Sequence, residues 1–575
     1  MPSVFSELSW WKQGPIYQIY PRSFLDTNGD GVGDLEGIRR KLDYLKDLGV
    51  RGVWLSPTYP SPMFDFGYDI TNYHDIDPVF GSLDDFRTLV READDRGIAI
   101  IMDMVLNHTS HLHPWFLESR SSRENPKRDF YIWRDGRKSA RRQARGAEQP
   151  DAKPRRRYAD WPNNWMAAFG GHAWTWDKST GQYYLHLFTE EQPDLNWRNP
   201  RVQEAMLAEL RFWLDCGVKG FRLDVINYLV KDELFRDNPY RVRLTYPRRH
   251  DLQRHQFDRN QEANLEIVHK IRALMDEYAG STGDTMLVGE VYPDEGVHAP
   301  DLAASYVGDG TELLHLAFDF SPMYMPLRAR DMFSVLDAWY TTLSPKAWPC
   351  HVLSNHDKSR AGSRLCSAPD SEAKKRLLAT LLFTQRGTPF VYYGEEIGMV
   401  DGKIRRRDLQ DPLGKKYYPI HPGRDRARTP MQWNDGIFAG FSAGKPWLPV
   451  NPDYRERNVE AQSKDSASLL NWYRTLVRLR SAESALLAGS IEFIKEDIAN
   501  NVLSYRSSYE GDEIIVVLNV SGKNRDSRAL RASDCALTVL LSTHRLGGSK
   551  LSGDARLAPW ECIVCKRARA RRYRH

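Results

Sequence analysis

The chain has 575 residues, 41% of them apolar, with a formal charge of +5. That length can bury a large core shared by two or three domains, and six cysteines in so long a chain do not make a disulfide framework. No run approaches the ~18 to 20 apolar residues of a membrane helix and residues 1–11 lack the pattern of a secretion signal, so a soluble cytoplasmic protein with no membrane partner is expected.

In chain order, eight short apolar runs predict strands at 16–20, 52–55, 98–105, 220–223, 286–291, 313–318, 351–354 and 389–393. Most are followed by a helix-compatible segment. In 83–96, for example, Phe86, Leu89, Val90 and Ala93 share one face. Strand and helix alternating eight times predict an α/β fold, a (β/α)8 TIM barrel rather than an open sheet.

Between the third and fourth runs, residues 108–201 are too many for one loop and helix and are rich in Trp, Asn, Gly and Pro. They predict a small inserted domain above the strand ends, forming one wall of the pocket. After a polar, glycine-rich stretch at 401–458 and a helical segment at 466–482, short runs at 491–494, 501–506, 514–519 and 536–541 predict a C-terminal antiparallel β-sandwich. The expected limits are 1–108 and 198–484 for the barrel, 109–197 for the insertion, 485–566 for the β domain and 567–575 for a basic tail.

Three of the apolar runs end in an acid: Asp224 in VKGFRLD, Glu290 in TMLVGE and Asp357 in HVLSNHD. A charge at the C-terminal edge of a strand buried on both faces is not core filler unless it has a partner. That edge is where barrel enzymes keep their active sites. Carboxylates facing a cavity there suggest glycoside chemistry, which in its retaining form needs two carboxyl groups ~5 Å apart, one ionised to attack and one protonated to donate. Arg222, two residues before Asp224 and on the same strand face, is expected to keep that acid charged.

Five ordered blocks, DMVLNH at 103–108, QPDLN at 192–196, GFRLDV at 220–225, VGEV at 288–291 and NHD at 355–357, resemble the α-amylase family, glycoside hydrolase family 13. Within it they look like the α-glucosidase and oligo-1,6-glucosidase branch, over residues 10–559. The resemblance implies Asp224 as nucleophile, Glu290 as general acid/base and Asp357 as the clamp on hydroxyls of the distorted sugar. Glu290 has no cation beside it in sequence, so the other acids are expected to raise its pKa and hold its proton, with Val288 as apolar cover.

His108 and His356 are similar to the two family histidines that hydrogen-bond sugar hydroxyls, and Asp103 is expected to brace Arg222. In DFGYD at 65–69, Asp65 resembles the residue that bonds the non-reducing C4 hydroxyl and Tyr68 the one that stacks on the sugar. Arg424 is the expected partner of Asp65, with Arg428 second, and such a pair would close the pocket to a longer glucan. Valine after the nucleophile, here Val225, accompanies α-1,6 preference in this branch. The resemblance thus implies a retaining, exo-acting α-glucosidase favouring isomaltose-type substrates, beside the competing readings of α-1,4-glucosidase, glucosyltransferase and inactive barrel scaffold. NHDKSR at 355–360 lacks the pattern of sucrose isomerases, which disfavours isomerisation.

Asp26, Asn28, Asp30, Val32 and Asp34 are spaced like oxygen ligands in the first half of an EF-hand loop. The corresponding loop binds calcium in some family relatives, with Val32 contributing its carbonyl, so a structural calcium is expected; an Asx-rich turn holding only water is the alternative. No organic cofactor is implied. The basic stretches 134–157 and 566–574 are read as a solvated loop and tail, without a nucleic-acid partner, because Tyr573 is the only aromatic in the tail. Cys562 and Cys565 have redox or zinc spacing but no second pair. A monomer or weak homo-oligomer acting on small oligosaccharides is expected.

Overall fold

The computed structural model describes residues 8–137, 160–241, 248–292, 299–531, 537–551 and 556–567. Its central sheet has eight parallel strands, Ile16–Ile19, Gly52–Leu55, Ala99–Val105, Gly220–Asp224, Met286–Gly289, Leu316–Ala317, Cys350–Val352 and Thr388–Tyr392. They pair in the order seventh, eighth, first, second, third, fourth, fifth, sixth. The sheet therefore curls into a nearly closed barrel, and its two ends meet where the Cys350 thiol donates to the Ala317 carbonyl at 3.2 Å. Each of the eight predicted runs overlaps one of these strands. The sixth, predicted over 313–318, shrinks to two residues.

All eight strands are buried throughout, as parallel strands covered by helices must be. The inward core draws Ile16, Trp54, Ile101, Val288, Leu316, Val352 and Phe390 from seven strands. On the fourth strand that inward row is Gly220, Arg222 and Asp224, by the two-residue repeat of a strand. A charged pair thus replaces apolar filling, and burying such groups is tolerated only when they are paired.

Outside the barrel, the helix Leu83–Asp94 starts on a capping box between Ser82 and Asp85 and buries Phe86, Leu89, Val90 and Ala93, the face expected. The helix Leu469–Ala482 likewise buries Leu469, Leu470, Tyr473, Leu476 and Val477.

The insertion contains a three-stranded antiparallel sheet of Trp133–Arg134, Gln182–Leu185 and Trp174–Asp177. It is tied to the barrel by a bridge between His108 and Asp194, and a second bridge, between Tyr131 and Leu195, lies within it. Most of the basic stretch 134–157 lies outside the described residues. At its start, Arg134 lies over the Phe235 ring and Arg137 pairs with Asp237.

The C-terminal part forms a six-stranded antiparallel sheet ordered Ser490–Phe493, Val502–Tyr509, Asp512–Asn519, Cys562–Arg567, Leu537–Ser542 and Lys550–Leu551, together with a two-stranded ladder of Arg525–Asp526 and Arg556–Leu557. The tail beyond Arg567 lies outside the described residues. Cys216, Cys350, Cys366, Cys562 and Cys565 are free thiols. Among the described residues no helix is long and apolar enough to cross a membrane.

Candidate active site

Arg222 organises the C-terminal mouth of the barrel. Its Nη1 lies 2.6 Å from Asp103 and 2.7 Å from Asp224, and its Nη2 lies 2.5 Å from Glu290. Arg222, Glu290 and Asp224 are only 1%, 2% and 6% exposed. The third, fourth and fifth strands are adjacent, with Asp103 opposite Arg222 and Arg222 opposite Val288, so one guanidinium reaches acids from all three. The Asp224 and Glu290 carboxyls are consequently close neighbours, as a retaining site requires.

The expectation that Glu290 lacks a cation is corrected here, because Arg222 reaches it across the sheet rather than along the chain. Arg222 favours the ionised form of Asp224, as expected, but it works against burial. Burial, reinforced by Glu290 and Asp103, raises the Asp224 carboxyl well above the ordinary range against the pull of Arg222. Burial likewise raises Asp103 to about 6. The Asp103 and Asp224 carboxyls, sharing one guanidinium, titrate as a coupled pair.

Glu290 extends the ladder beyond its strand: its amide donates to the Leu223 carbonyl at 3.0 Å, and its carbonyl accepts from the Ile226 amide at 3.2 Å. Its Oε2 also accepts from the Val225 amide at 3.4 Å, while buried Oε1 has no protein partner. Gly289 permits this close packing, since a Cβ there would lie 2.3 Å from Leu314 Cδ1. Val225, directly after Asp224, takes the left-handed conformation at φ 37° and ψ 46°. For a β-branched residue this stores on the order of 1 to 3 kcal/mol of strain, held in place by its packing among Trp174, Leu187 and Tyr228.

Asp357 sits between two arginines and a histidine, with Oδ1 3.0 Å from Arg428 Nη2 and 3.3 Å from Arg424 Nη1, and Oδ2 3.4 Å from His356 Nε2. Burial works against it, but His356, Arg424 and Arg428 hold its carboxyl well below the usual range. Arg424 also donates to Asp65 at 2.5 Å and to Asp411 at 2.6 Å, and it lies over the Phe169 ring. Of the two arginines offered for Asp65, then, Arg424 makes the contact. Arg428 turns instead to Asp357 and the His356 carbonyl.

Tyr68 donates its hydroxyl toward Asp103 Oδ2 at 3.0 Å and lies 2.7 Å from His356 Nε2. His356 Nδ1 meets the Gln18 amide at 2.8 Å. His108 lies with Nδ1 against the Asn107 amide at 3.1 Å and Nε2 near the Tyr68 carbonyl at 3.1 Å and the Gln192 amide at 3.0 Å. Burial lowers His356 to about 3 and His108 to about 4, so both rings are neutral near pH 7. All of the expected acid and sugar-contact residues gather at this one mouth.

Two buried groups escaped the sequence reasoning. Gln192 joins Asp65, Tyr68 and His108; its place in the QPDLN motif was the available signal. Lys231 pairs with Asp194 at 2.6 Å and donates to Asn107 at 2.7 Å, with all three buried. A lone lysine straight after the apolar Leu229 and Val230 was the signal there.

The loop at 26–34 is a chain of Asx turns. Asp26 accepts from the amides of Asn28, Gly29 and Gly31 and from the Ser442 hydroxyl. Asn28 accepts from Asp30, and Asp30 from Val32. Asp34 caps the helix Leu35–Arg40 through Gly37 at 2.6 Å and also binds Thr27. The donors are all oxygens, as a hard cation prefers. Among the described residues, however, no three His, Cys, Asp or Glu side chains form a group that could hold a metal ion.

Residues 18–489 match the family described as Alpha amylase, catalytic domain. A relative named "Probable alpha-glucosidase" from Rhizobium meliloti (strain 1021) is 40% identical, the alignment covering 97% of each chain. An oligo-1,6-glucosidase from Parageobacillus thermoglucosidasius is 38% identical over 97% of this chain and 99% of its own. Among solved structures, the α-glucosyl transfer enzyme XgtA superposes with a TM-score of 0.86 at 38% identity, covering 98% of this chain and 100% of that one. The trehalulose synthase MutB from Pseudomonas mesoacidophila MX-45 gives 0.84 at 33% identity, with the same coverage. The chain belongs to the α-amylase family of glycoside hydrolases.

Proposed function

We propose that this protein is a retaining, exo-acting α-glucosidase that removes terminal glucose from short oligosaccharides, with α-1,6-linked substrates preferred. The observation that carries the reading is the single guanidinium of Arg222 holding Asp224 and Glu290 side by side at the barrel mouth. Asp224 attacks the anomeric carbon as the bond to the leaving oxygen breaks, and Glu290 passes its proton to that oxygen. Water then attacks the same carbon, gives a proton to Glu290 and releases Asp224, so two inversions retain the α configuration. Asp357, held ionised by its cations, takes hydroxyls of the bound ring. The Asp65–Arg424 pair closes the far end, which supports action on one terminal sugar.

Val225 beside the nucleophile and the relatives named oligo-1,6-glucosidase support the linkage preference. Likeness to a glucosyl transfer enzyme keeps a second fate in view, since the same covalent intermediate can be intercepted by a sugar hydroxyl instead of water. Product analysis with isomaltose, maltose and sucrose supplied separately tests the reading. Rapid maltose turnover beside inert isomaltose would overturn the linkage preference, and inertness toward all three would favour the scaffold.

The reading extends to a structural calcium on Asp26, Asn28, Asp30, Asp34 and the Val32 carbonyl, supported by the oxygen-only donors and preformed Asx turns. Its test is calorimetric titration of chelator-treated protein with calcium, where absence of a binding isotherm would remove the ion. The free thiols support a cytoplasmic location.

A further inference from the structure

The pocket wall beside Glu290 carries a cation that no described acid neutralises. Lys358 directly follows Asp357, and its ammonium lies 5.6 Å from the centroid of the Tyr292 ring and 5.8 Å from that of Tyr324. Tyr292 is two residues beyond Glu290. Burial raises its hydroxyl well above the ordinary range, and the nearby charges of Glu290 and Asp357 add to that shift. Tyr324 is 61% exposed. Lys358 therefore stands between the catalytic acids and solvent.

The neighbouring cations are already matched. Arg428 binds Asp357, Arg424 is shared by Asp65, Asp357 and Asp411, and Arg248 makes a two-pronged pair with Asp251 at 2.9 Å. His421 adds no further cation: burial lowers its pKa, and Arg248, Lys358 and Arg424 lower it further against the opposing pull of Asp411. The Lys358 side chain forms no ion pair or hydrogen bond with a described residue; its contacts are the two ring faces.

We infer that Lys358 makes the leaving-group side of the pocket selective for α-glucosides whose aglycone carries an anion, either a carboxylate or a phosphate monoester. The inference rests on Glu290 being the proton donor, because that role places the leaving group on this side. An anionic aglycone would supply the missing counter-charge while the tyrosine rings bracket its carbon skeleton. At this partly buried position beside solvent such a pair is worth up to ~1 kcal/mol, or about fivefold in kcat/KM. It weakens as salt screens it.

The test compares matched substrates on the full-length protein. One pair is 2-O-α-glucosylglycerate against 2-O-α-glucosylglycerol. The other is maltose phosphorylated at C6 of its reducing glucose against maltose. The expected result is a preference of about fivefold for the anionic member of at least one pair at low ionic strength, fading in high salt; the responsive pair identifies the anion. The anionic-to-neutral ratio should fall toward one in Lys358→Gln and invert in Lys358→Glu. Because the ratio is taken within each variant, partial loss of folded protein cancels. Equal or better turnover of the neutral members by the wild type, or a ratio unchanged in Lys358→Gln, would overturn the inference while leaving the α-glucosidase reading intact. Failure to cleave any of the four by protein that still hydrolyses isomaltose would overturn the inference alone, and failure on isomaltose as well would remove both.

Discussion

Arg424 Nη2 meets Asp65 Oδ1 at 2.5 Å although 359 residues separate them in the chain, with Asp65 buried and Arg424 partly buried. The pair spans the loops after the second and eighth strands and closes the pocket opposite the leaving group. In Asp65→Ala the far end should open while Arg424 keeps Asp411 and Asp357. With a linear α-glucan of five or six units, the wild type is expected to release glucose alone, and the variant should also release longer fragments, with kcat/KM on disaccharides down by at least ~100-fold. Chromatographic sizing of early products checks this. Longer fragments from the wild type would contradict the closed end.

Removing the Arg222 guanidinium leaves three buried carboxyls without their common cation. Arg222→Met is expected to lose at least ~3 kcal/mol of stability and at least ~1000-fold in kcat. Its stability should rise more steeply than that of the wild type as the pH is lowered and the crowded acids, no longer opposed by the guanidinium, take up protons. Denaturant titrations from pH 7 to pH 5 measure the trend, and a variant as stable as the wild type at pH 7 would contradict the role given to the guanidinium.

His356 is fully buried between Gln18 and Tyr68, and burial lowers its pKa from 6.5 to about 3. The unfolded chain therefore binds the proton more readily. The resulting stability is complete above pH 6.5 and drains away as pH falls toward 3. His356→Gln cannot take up that proton, so it should lose less stability than the wild type between pH 6.5 and pH 4, by on the order of 3 kcal/mol. Parallel stability curves for the two proteins would show that the ring titrates normally.

Lys231 holds Asp194 of the insertion and Asn107 of the barrel, and Asn107 in turn faces His108 Nδ1. Lys231→Met strands a buried carboxylate and is expected to cost about 3 to 5 kcal/mol. Lys231→Met with Asp194→Leu removes both charges and should recover much of that loss in denaturant titrations. Strictly additive losses would argue against the pair as the cause.

The barrel was legible because its signal is local. Each buried parallel strand is a short apolar run, and the catalytic candidates Asp224, Glu290 and Asp357 are charges placed where such a run ends. The Leu83–Asp94 face and the alternating C-terminal strands could be read for the same reason, since the period of the backbone is written into successive side chains. The sixth strand was overdrawn because apolar content alone does not say how many residues find a hydrogen-bonding neighbour.

Pairings between distant groups were decided elsewhere. Arg222 beside Asp224 is visible in the chain, whereas its contact with Glu290 exists because the fourth and fifth strands are neighbours in register. Arg424, the first choice for Asp65, and Arg428, the second, are told apart only when the loop after the eighth strand aims one at Asp65 and the other at Asp357. Lys231 reads as an isolated charge until the insertion folds back and delivers Asp194. The sequence by itself determined the elements and the chemical groups at their ends, through local periodicity and the cost of burying a charge. Only the tertiary structure decided which charges share a partner, because Coulomb and hydrogen-bond energies depend on distances that barrel closure sets.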